Sequence, residues 1–137
     1  MFNEEKRYIS NGINSKVNIL LQVTLWNMVN ELKKKNEIEL DYLQVFRIKK
    51  RDKELIIEHS QEVEQYKKVH VFKGLSNLIE EDLKVFIIDE NRYNIMILAE
   101  EYWLEGEEYY EYFINFENNF CSFRYDKLRV IRISSSI

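Results

Sequence analysis

The sequence has no proline, three glycines and one cysteine in 137 residues. A single cysteine, Cys121, cannot form a disulfide within the chain, which predicts a protein of a reducing compartment, the cytoplasm. Three glycines are too few for a phosphate-binding loop, and no G-x-S-x-G motif is present to position a catalytic serine. Because no proline-rich or glycine-rich linker interrupts the chain, we expect one domain over residues 1–137.

Long apolar runs are also missing. No run approaches the roughly 18 apolar residues of a membrane-spanning helix, and the N-terminal MFNEEKRYISNG lacks the apolar core of a secretory signal. The composition, 45% hydrophobic and 14% aromatic, is nevertheless that of a folded protein with a packed core. We therefore expect a soluble protein with no membrane partner.

One helix and many strands are predicted. Apolar residues recur at helical spacing from about Lys16 to Lys35, and Ser15 is the predicted N-cap. From Asp41 onward the apolar residues alternate with a period of two, which is typical of strands. The predicted strands cover residues 41–49, 55–60, 67–73, 85–89, 92–103, 109–116, 120–125 and 128–133. This order indicates an α+β fold, mainly an antiparallel β-sheet with one long N-terminal helix packed on one face.

The two histidines, His59 and His70, are the first residues to consider for metal binding or acid–base chemistry. His59 has the same strand parity as Leu55 and Ile57, whereas His70 has the parity opposite to its two neighbouring valines. Burial of both apolar sets would place the two imidazoles on opposite sides of the sheet, where they cannot share a metal ion. We therefore predict no metal, no cofactor and no catalytic residue.

One segment of the chain is strongly acidic and aromatic. Residues 89–123 contain nine carboxylates and one base, so this segment carries a net charge of −8 and the remainder +4. Such a segment favours a basic protein partner, with aromatic side chains as anchors. The candidate interaction residues are Glu100, Glu101, Trp103, Glu105, Glu107, Glu108, Tyr109, Glu111 and Phe113. The alternatives are a charged edge strand that resists aggregation and an imitation of a nucleic-acid backbone.

Two further sites are kept as alternatives. The segment HSQEVEQY brings together His59, Gln61, Glu62 and Tyr66, which would suit an enzyme or a small-ligand binder if they converged on a pocket around a histidine of perturbed pKa. The competing interpretation is a polar hairpin loop. Direct nucleic-acid binding is disfavoured by the acidic segment, although two basic groups would allow it. These groups are Arg47, Lys49, Lys50, Arg51 and Lys53, and Arg124, Lys127, Arg129 and Arg132.

The order of the motifs RYISNGI, LQVTLW, DYLQVF, HSQEVEQYKK and VFIID followed by MILAEEY resembles a bacterial and phage family catalogued as domain of unknown function 960. The matching positions are Arg7, Tyr8, Gly12, Leu21, Trp26, Asp41 to Phe46, His59, Gln61, Glu62, Tyr66, Glu101 and Tyr102. The resemblance covers about residues 2–103, so residues 104–137 form a C-terminal β extension. Glu64 stands where the family pattern has a proline.

The resemblance implies no activity, but it implies the accessory and mobile genes of low-GC Gram-positive bacteria. Small acidic proteins from such genes commonly bind and inhibit host machinery. The leading hypothesis is therefore a small, non-enzymatic, acidic interaction protein that inhibits a host defence nuclease by binding its basic surface. An unpaired strand over residues 109–116 would equally allow a homodimer.

Overall fold

The computed structural model describes residues 1–4 and 6–102, together with the backbone of residues 112–115 and 123–125. The strands are β1 (Arg7–Ile9), β2 (Leu43–Arg51), β3 (Glu54–Gln61), β4 (Tyr66–Lys73), β5 (Leu83–Asp89), β6 (Asn94–Leu98), β7 (Tyr112–Asn115) and β8 (Phe123–Tyr125). The helices are α1 (Asn11–Lys16), α2 (Ile19–Lys35) and the short α3 (Ala99–Tyr102), with a 3₁₀ turn at Ser76–Leu78. None of these helices is long and apolar enough to cross a bilayer.

All the described strands belong to one sheet, in the order β4-β3-β2-β5-β6-β1-β7-β8. Every neighbouring pair is antiparallel except β1 and β6, which run parallel. The turn from β2 to β3 is made by Asp52 with a φ of 56°, a left-handed conformation that aspartate tolerates better than most residues. The prediction of an α+β fold with a mainly antiparallel sheet is confirmed.

The N-terminal helical region consists of two helices rather than one. Ser10 caps α1, because its hydroxyl accepts a hydrogen bond from the Ile13 amide at 3.2 Å. The helix ends where Val17 adopts an extended backbone, with φ −113° and ψ 120°. Asn18 then caps α2, since its side-chain oxygen accepts from the Leu20 amide at 2.8 Å. Each cap satisfies an amide that the first turn of a helix leaves unpaired.

Ser15 is therefore not the N-cap that the sequence suggested. It lies inside α1, and its hydroxyl donates back to the carbonyls of Asn11 and Gly12 at 3.1 and 3.3 Å. A serine within a helix makes such backward bonds and starts no new helix. The predicted single helix beginning near Lys16 is corrected to α1, a break at residues 17 and 18, and α2.

Apolar side chains are buried on both faces of the sheet. On one face, here called the α2 face, the buried side chains of α2 form a cluster with the central strands, which includes Leu21, Leu25, Trp26, Val29, Phe46, Ile48, Ile57, Val85 and Ile87. A smaller cluster on the other face comprises Phe86, Ile88, Ile95, Ile97, Ala99 and Tyr102. The sheet is thus covered on both sides at β5 and β6, which explains why every residue of β6 is buried.

The pairing of β3 with β4 places both histidines on the α2 face. His59 lies opposite Lys68, and Ile57 lies opposite His70. Residues that lie opposite each other point to the same side of a sheet, so the prediction of opposite sides is wrong. The valines flanking His70 point to the other face, where Val69 is 52% and Val71 is 47% exposed. The error arose because β4 is an edge strand whose valines are not buried.

The strand predicted over residues 92–103 is also shorter in the structure. It ends at Leu98, and the following AEEY forms α3. Strands β7 and β8 lie inside the strands predicted over residues 109–116 and 120–125. The strand predicted over residues 128–133 lies outside the described residues.

Candidate functional site

A chain of hydrogen-bonded polar side chains begins at Gln61, which is buried at the end of β3. Its amide nitrogen donates to three backbone carbonyls at 2.8–2.9 Å, those of Glu39, Val63 and Glu64. Its amide oxygen accepts from the Asp41 amide at 3.0 Å and from Nε2 of Gln44 at 2.7 Å. The Gln61 amide is therefore fully bonded, with its two N–H groups shared among three carbonyls, and the reversed orientation would place its nitrogen against the Asp41 amide donor.

The hydrogen bonds of Gln44 connect Gln61 to His59 and fix which atom of Gln44 faces the imidazole. Its Nε2 donates to Gln61 and to the Asp41 carbonyl at 2.8 Å, so its oxygen has to face the imidazole. That oxygen lies 2.7 Å from Nε2 of His59 and can only accept. Nε2 of His59 therefore carries the proton, and Nδ1 is an unprotonated acceptor in the neutral ring.

His59 is held rigidly in this state. It is 1% exposed, it stacks on Phe46 with ring centroids 4.4 Å apart, and Tyr66 meets its edge at 5.3 Å. Burial lowers the pKa of His59 from 6.5 to about 4, with a smaller contribution from the charge of His70. The imidazole is consequently neutral at pH 7.

A cleft of about 310 Å³ lies between α2 and the strands β3 and β4. From the sheet, His59, Tyr66, Lys68 and His70 line it. From α2, the polar residues Asn27, Glu31 and Lys35 line the facing side. The cleft therefore combines a buried neutral imidazole with charged side chains at its rim, and among the described residues no three of the types His, Cys, Asp and Glu are placed to bind a metal.

The four residues of the predicted alternative site separate into three environments. His59 and Tyr66 line the cleft, Gln61 lies in the polar chain behind it, and Glu62 is exposed in the turn after β3. They do not converge on one pocket, although the histidine has the perturbed pKa that the hypothesis required. Glu64, in the same turn, has a φ of 53°, which a proline could not adopt.

Sequence reasoning missed the partners that complete this site. Gln44 and Asp41 belong to the DYLQVF motif, and they are hydrogen-bonded to the HSQE motif on the neighbouring strand. The available signal was parity: Gln44 occupies the position of a core residue, two before Phe46, and a buried glutamine needs partners. The contribution of α2 had no signal in the sequence, because it depends on where the helix crosses the sheet.

The predicted acidic interaction surface is described at two of its residues. Glu100 is exposed and forms an ion pair with Lys16 at 3.2 Å. Six others, Trp103, Glu105, Glu107, Glu108, Tyr109 and Glu111, lie outside the described residues, and Phe113 lies in β7, of which the backbone alone is described.

Glu101 belongs to the interior and not to a surface. It is 8% exposed, and its oxygens accept from the Ser10 hydroxyl at 2.6 Å, the Gly12 amide at 3.1 Å and the Leu98 amide at 2.9 Å. This carboxylate ties the beginning of α1 to the end of β6. Its assignment to the acidic binding surface is corrected, because a bonded and buried carboxylate is not available to a partner.

A second concave surface lies on the face of the sheet opposite α2, here called the cationic face. A groove of about 460 Å³ runs across β5, β2, β3 and β4. Its lining includes Arg47, Lys49, Arg51 and Lys84, with Val69 and Val71 at the β4 end. Three of the predicted basic residues therefore share this face, whereas Lys50 points away and donates to the Ile79 carbonyl at 3.2 Å.

One mostly antiparallel sheet, an internal histidine–glutamine chain and two concave surfaces define a small α+β protein. The chain belongs to the family described as staphylococcal protein of unknown function (DUF960), whose family model matches residues 6–101. This confirms the resemblance seen in the motifs.

The crystal structure of a protein of unknown function from Enterococcus faecalis has a TM-score of 0.61 with this chain and is 22% identical to it. The match covers 73% of this chain and 93% of that chain, and at this identity it supports the fold alone. No curated protein matches the sequence.

Proposed function

We propose that this protein is a non-enzymatic interaction protein that binds an acidic polypeptide through the cationic face and the adjoining edge strand β4. The observation that carries the proposal is the pair of half-exposed valines, Val69 and Val71, on an edge strand beside unpaired cations. Exposed apolar side chains ringed by charges are typical of interaction sites.

The cations of this face exceed its carboxylates. Lys67 pairs with Glu58 at 3.1 Å, and Arg51 approaches Glu54 at 3.6 Å. Within the described part of the chain, Arg47, Lys49 and Lys84 form no ion pair with a carboxylate. Arg47 lies between Lys84 of β5 and Glu58 of β3, and the carboxylate of Glu58 is paired with Lys67. Two like charges directly opposite each other, Arg47 and Lys84, repel and therefore favour a bound anion.

Strand β4 supplies the second part of the proposed site. It ends the sheet order, so one side of its backbone has no partner among the described strands. An extended peptide can add to such an edge through main-chain hydrogen bonds. The lysines of β4 at positions 67, 68 and 73 oppose pairing with a second copy of β4, because like charges would face each other. They favour an acidic strand.

The contacts offered by this face favour a polypeptide over a nucleic acid. The exposed apolar side chains of β4 on this face are valines, whereas single-stranded nucleic acids stack on aromatic rings.

The test is a fluorescence-anisotropy titration with a labelled peptide of alternating glutamate and valine. We expect saturable binding that weakens as salt is added, because exposed charges are screened. The double variant R47E/K49E should weaken binding at least tenfold. The matched control K33E/K34E reverses two exposed lysines at the end of α2 and should bind as the wild type does.

Equal losses in both double variants would overturn the proposal, since they would report net charge alone. Duplex and single-stranded oligonucleotides form the second arm of the same titration. If either binds more tightly than the peptide at equal salt, the partner is a nucleic acid and the choice of a polypeptide is wrong.

A second candidate surface is supported by the charge pattern of the sequence. We also propose that the segment 89–123, with its net charge of −8 and with the buried Glu101 excluded from the contact, binds a basic protein surface such as that of a host defence nuclease. The triple variant E105K/E107K/E108K should lose such a partner in a pull-down and in binding to the purified protein, with an unchanged melting temperature. Binding equal to that of the wild type would contradict it.

A further inference from the structure

The HSQE motif contains one strong acceptor that the fold does not use. Nε2 of His59 is bonded to Gln44, and no hydrogen bond to its Nδ1 is formed by the described residues. The side chain is 1% exposed and nevertheless lines the cleft between α2, β3 and β4. An imidazole acceptor that has no partner among the described residues and belongs to a side chain at the wall of a cleft is available to a donor supplied by a ligand.

Two cations lie at the same cleft. Lys35 comes from the last turn of α2, and Lys68 comes from β4, directly opposite His59 in the sheet. Neither forms an ion pair with the described residues. Both are near enough to His70 that their charges, after the effect of burial, lower its pKa. Glu31 also lines the cleft, which leaves its charged side chains with a net charge of +1.

Phe72, Met28 and Leu32 supply apolar parts of the walls. A volume of about 310 Å³ is at the small end of the range for ligand sites. The cleft therefore has room for a ligand of a few heavy atoms that presents negative charge to the rim and a hydrogen-bond donor to the imidazole.

We propose that this cleft binds a small oxyanion that carries a hydrogen-bond donor, such as hydrogen phosphate or a phosphate ester with a free hydroxyl. Lys35 and Lys68 hold its charge, and Nδ1 of His59 accepts its O–H. The Gln61–Gln44 chain is the positioning element, because it keeps the proton on Nε2 and leaves the lone pair of Nδ1 towards the ligand. This site is on the opposite face of the sheet from the proposed peptide site, and the residue that the two proposals share is Lys68.

The proposal predicts that the cleft binds phosphate more tightly than sulfate. Inorganic phosphate keeps an O–H at neutral pH, whereas sulfate of nearly the same size and shape has none. Sulfate would place an oxygen against the lone pair of Nδ1, where neither atom has a hydrogen to share. A buried polar group left without its partner is the strongest basis for such selectivity.

The test is an NMR titration of the whole protein, labelled with ¹⁵N in its histidines, with phosphate and sulfate at pH 7. Before any anion is added, the spectra should show His59 protonated on Nε2. Phosphate should shift the Nδ1 resonance saturably, and it should bind at least tenfold more tightly than sulfate. Glycerol 3-phosphate in a third titration tells a free from an esterified phosphate, and binding of either supports the proposal.

Two comparisons of variants distinguish the role of Lys68, which binds the charge of the anion, from the role of His59, which accepts its O–H. The variant K68Q should weaken the binding of both phosphate and sulfate. The control K67Q, at the adjacent residue on the other face, should leave the affinity for both anions unchanged. The variant H59Q keeps a donor that can reach Gln44 but has no counterpart of Nδ1, so it should remove the preference for phosphate while K68Q does not.

Four results would overturn the proposal. Three of them are a proton on Nδ1 in the free protein, equal affinity for sulfate and phosphate, and equal effects of K67Q and K68Q. The fourth is the absence of saturable shifts with all three anions. None of these results requires the H59Q variant to fold.

Discussion

At the scale of single residues, the structure gives two neighbouring carboxylates of the predicted interaction surface different environments. Glu100 pairs with Lys16 at the surface, whereas its neighbour Glu101 joins α1 to β6 from the inside. A β-carbon on Gly12 would lie 2.6 Å from the carboxyl carbon of Glu101. Glycine is required at position 12 because a hydrogen-bonded carboxylate occupies the space of a side chain.

This contact predicts a strong coupling between positions 12 and 101. The substitution G12A should lower the free energy of unfolding by about 2–3 kcal/mol, because the carboxylate can move only by losing charged hydrogen bonds. In the E101A background the obstruction is gone, and alanine should be neutral or stabilising, since it favours a helix more than glycine does. Urea denaturation of the two single variants and the double variant measures the coupling. Additive losses would contradict it.

At the scale of elements, the break between α1 and α2 decides where the long helix begins. The extended backbone at Val17 and Asn18 ends one helix and lets the Asn18 side chain reach the first turn of the next. The apolar spacing continues through the break, which is why periodicity alone predicted one helix. Caps are local hydrogen bonds, and the choice between Ser15 and Asn18 is made by the backbone and not by the pattern.

The two candidate caps predict different costs on substitution. N18A should lower the free energy of unfolding by about 1 kcal/mol, because the Leu20 amide loses its acceptor. S15A should cost less than about 0.5 kcal/mol, since this exposed hydroxyl bonds carbonyls of its own helix. Chemical denaturation of both variants checks the assignment, and a larger loss in S15A would contradict it.

At the scale of the whole molecule, the buried imidazole couples stability to pH. Unfolded His59 binds a proton near pH 6.5, and folded His59 binds one near pH 4. Between these values the unfolded state holds more protons, so acidification favours unfolding. The free energy of unfolding should fall by up to about 3 kcal/mol as the pH is lowered through this window, and the loss is absent above it.

Comparison with H59Q isolates this contribution. His70 also has a lowered pKa, from burial and from Lys68 and Lys35, and acts in the same direction. All other ionisable groups are the same in the two proteins. The difference between the wild type and H59Q in the pH dependence of the free energy of unfolding should therefore give the contribution of His59. An NMR titration in which His59 protonates near pH 6.5 would contradict the prediction.

The site was predictable in part, and the limits are physical. Parity along β3 identified His59 as a core-facing residue, and the HSQE motif was singled out before its partners were known. The same reasoning failed for His70, because it treated the valines of β4 as buried. Whether an alternating strand is buried depends on its place in the sheet, and no local pattern states that β4 is an edge.

The sequence by itself determined the α+β class, the largely antiparallel pairing and the family, because these follow from short-range periodicity and from the motifs themselves. The tertiary structure alone decided which charged residues are buried and hydrogen-bonded and which are exposed to a partner. It placed Glu101 inside, joined the DYLQVF and HSQE motifs through Gln44 and Gln61, and gathered cations from β2 and β5 on one face. Hydrogen bonds and burial of this kind link residues that are far apart in the chain, so only the folded molecule brings them together.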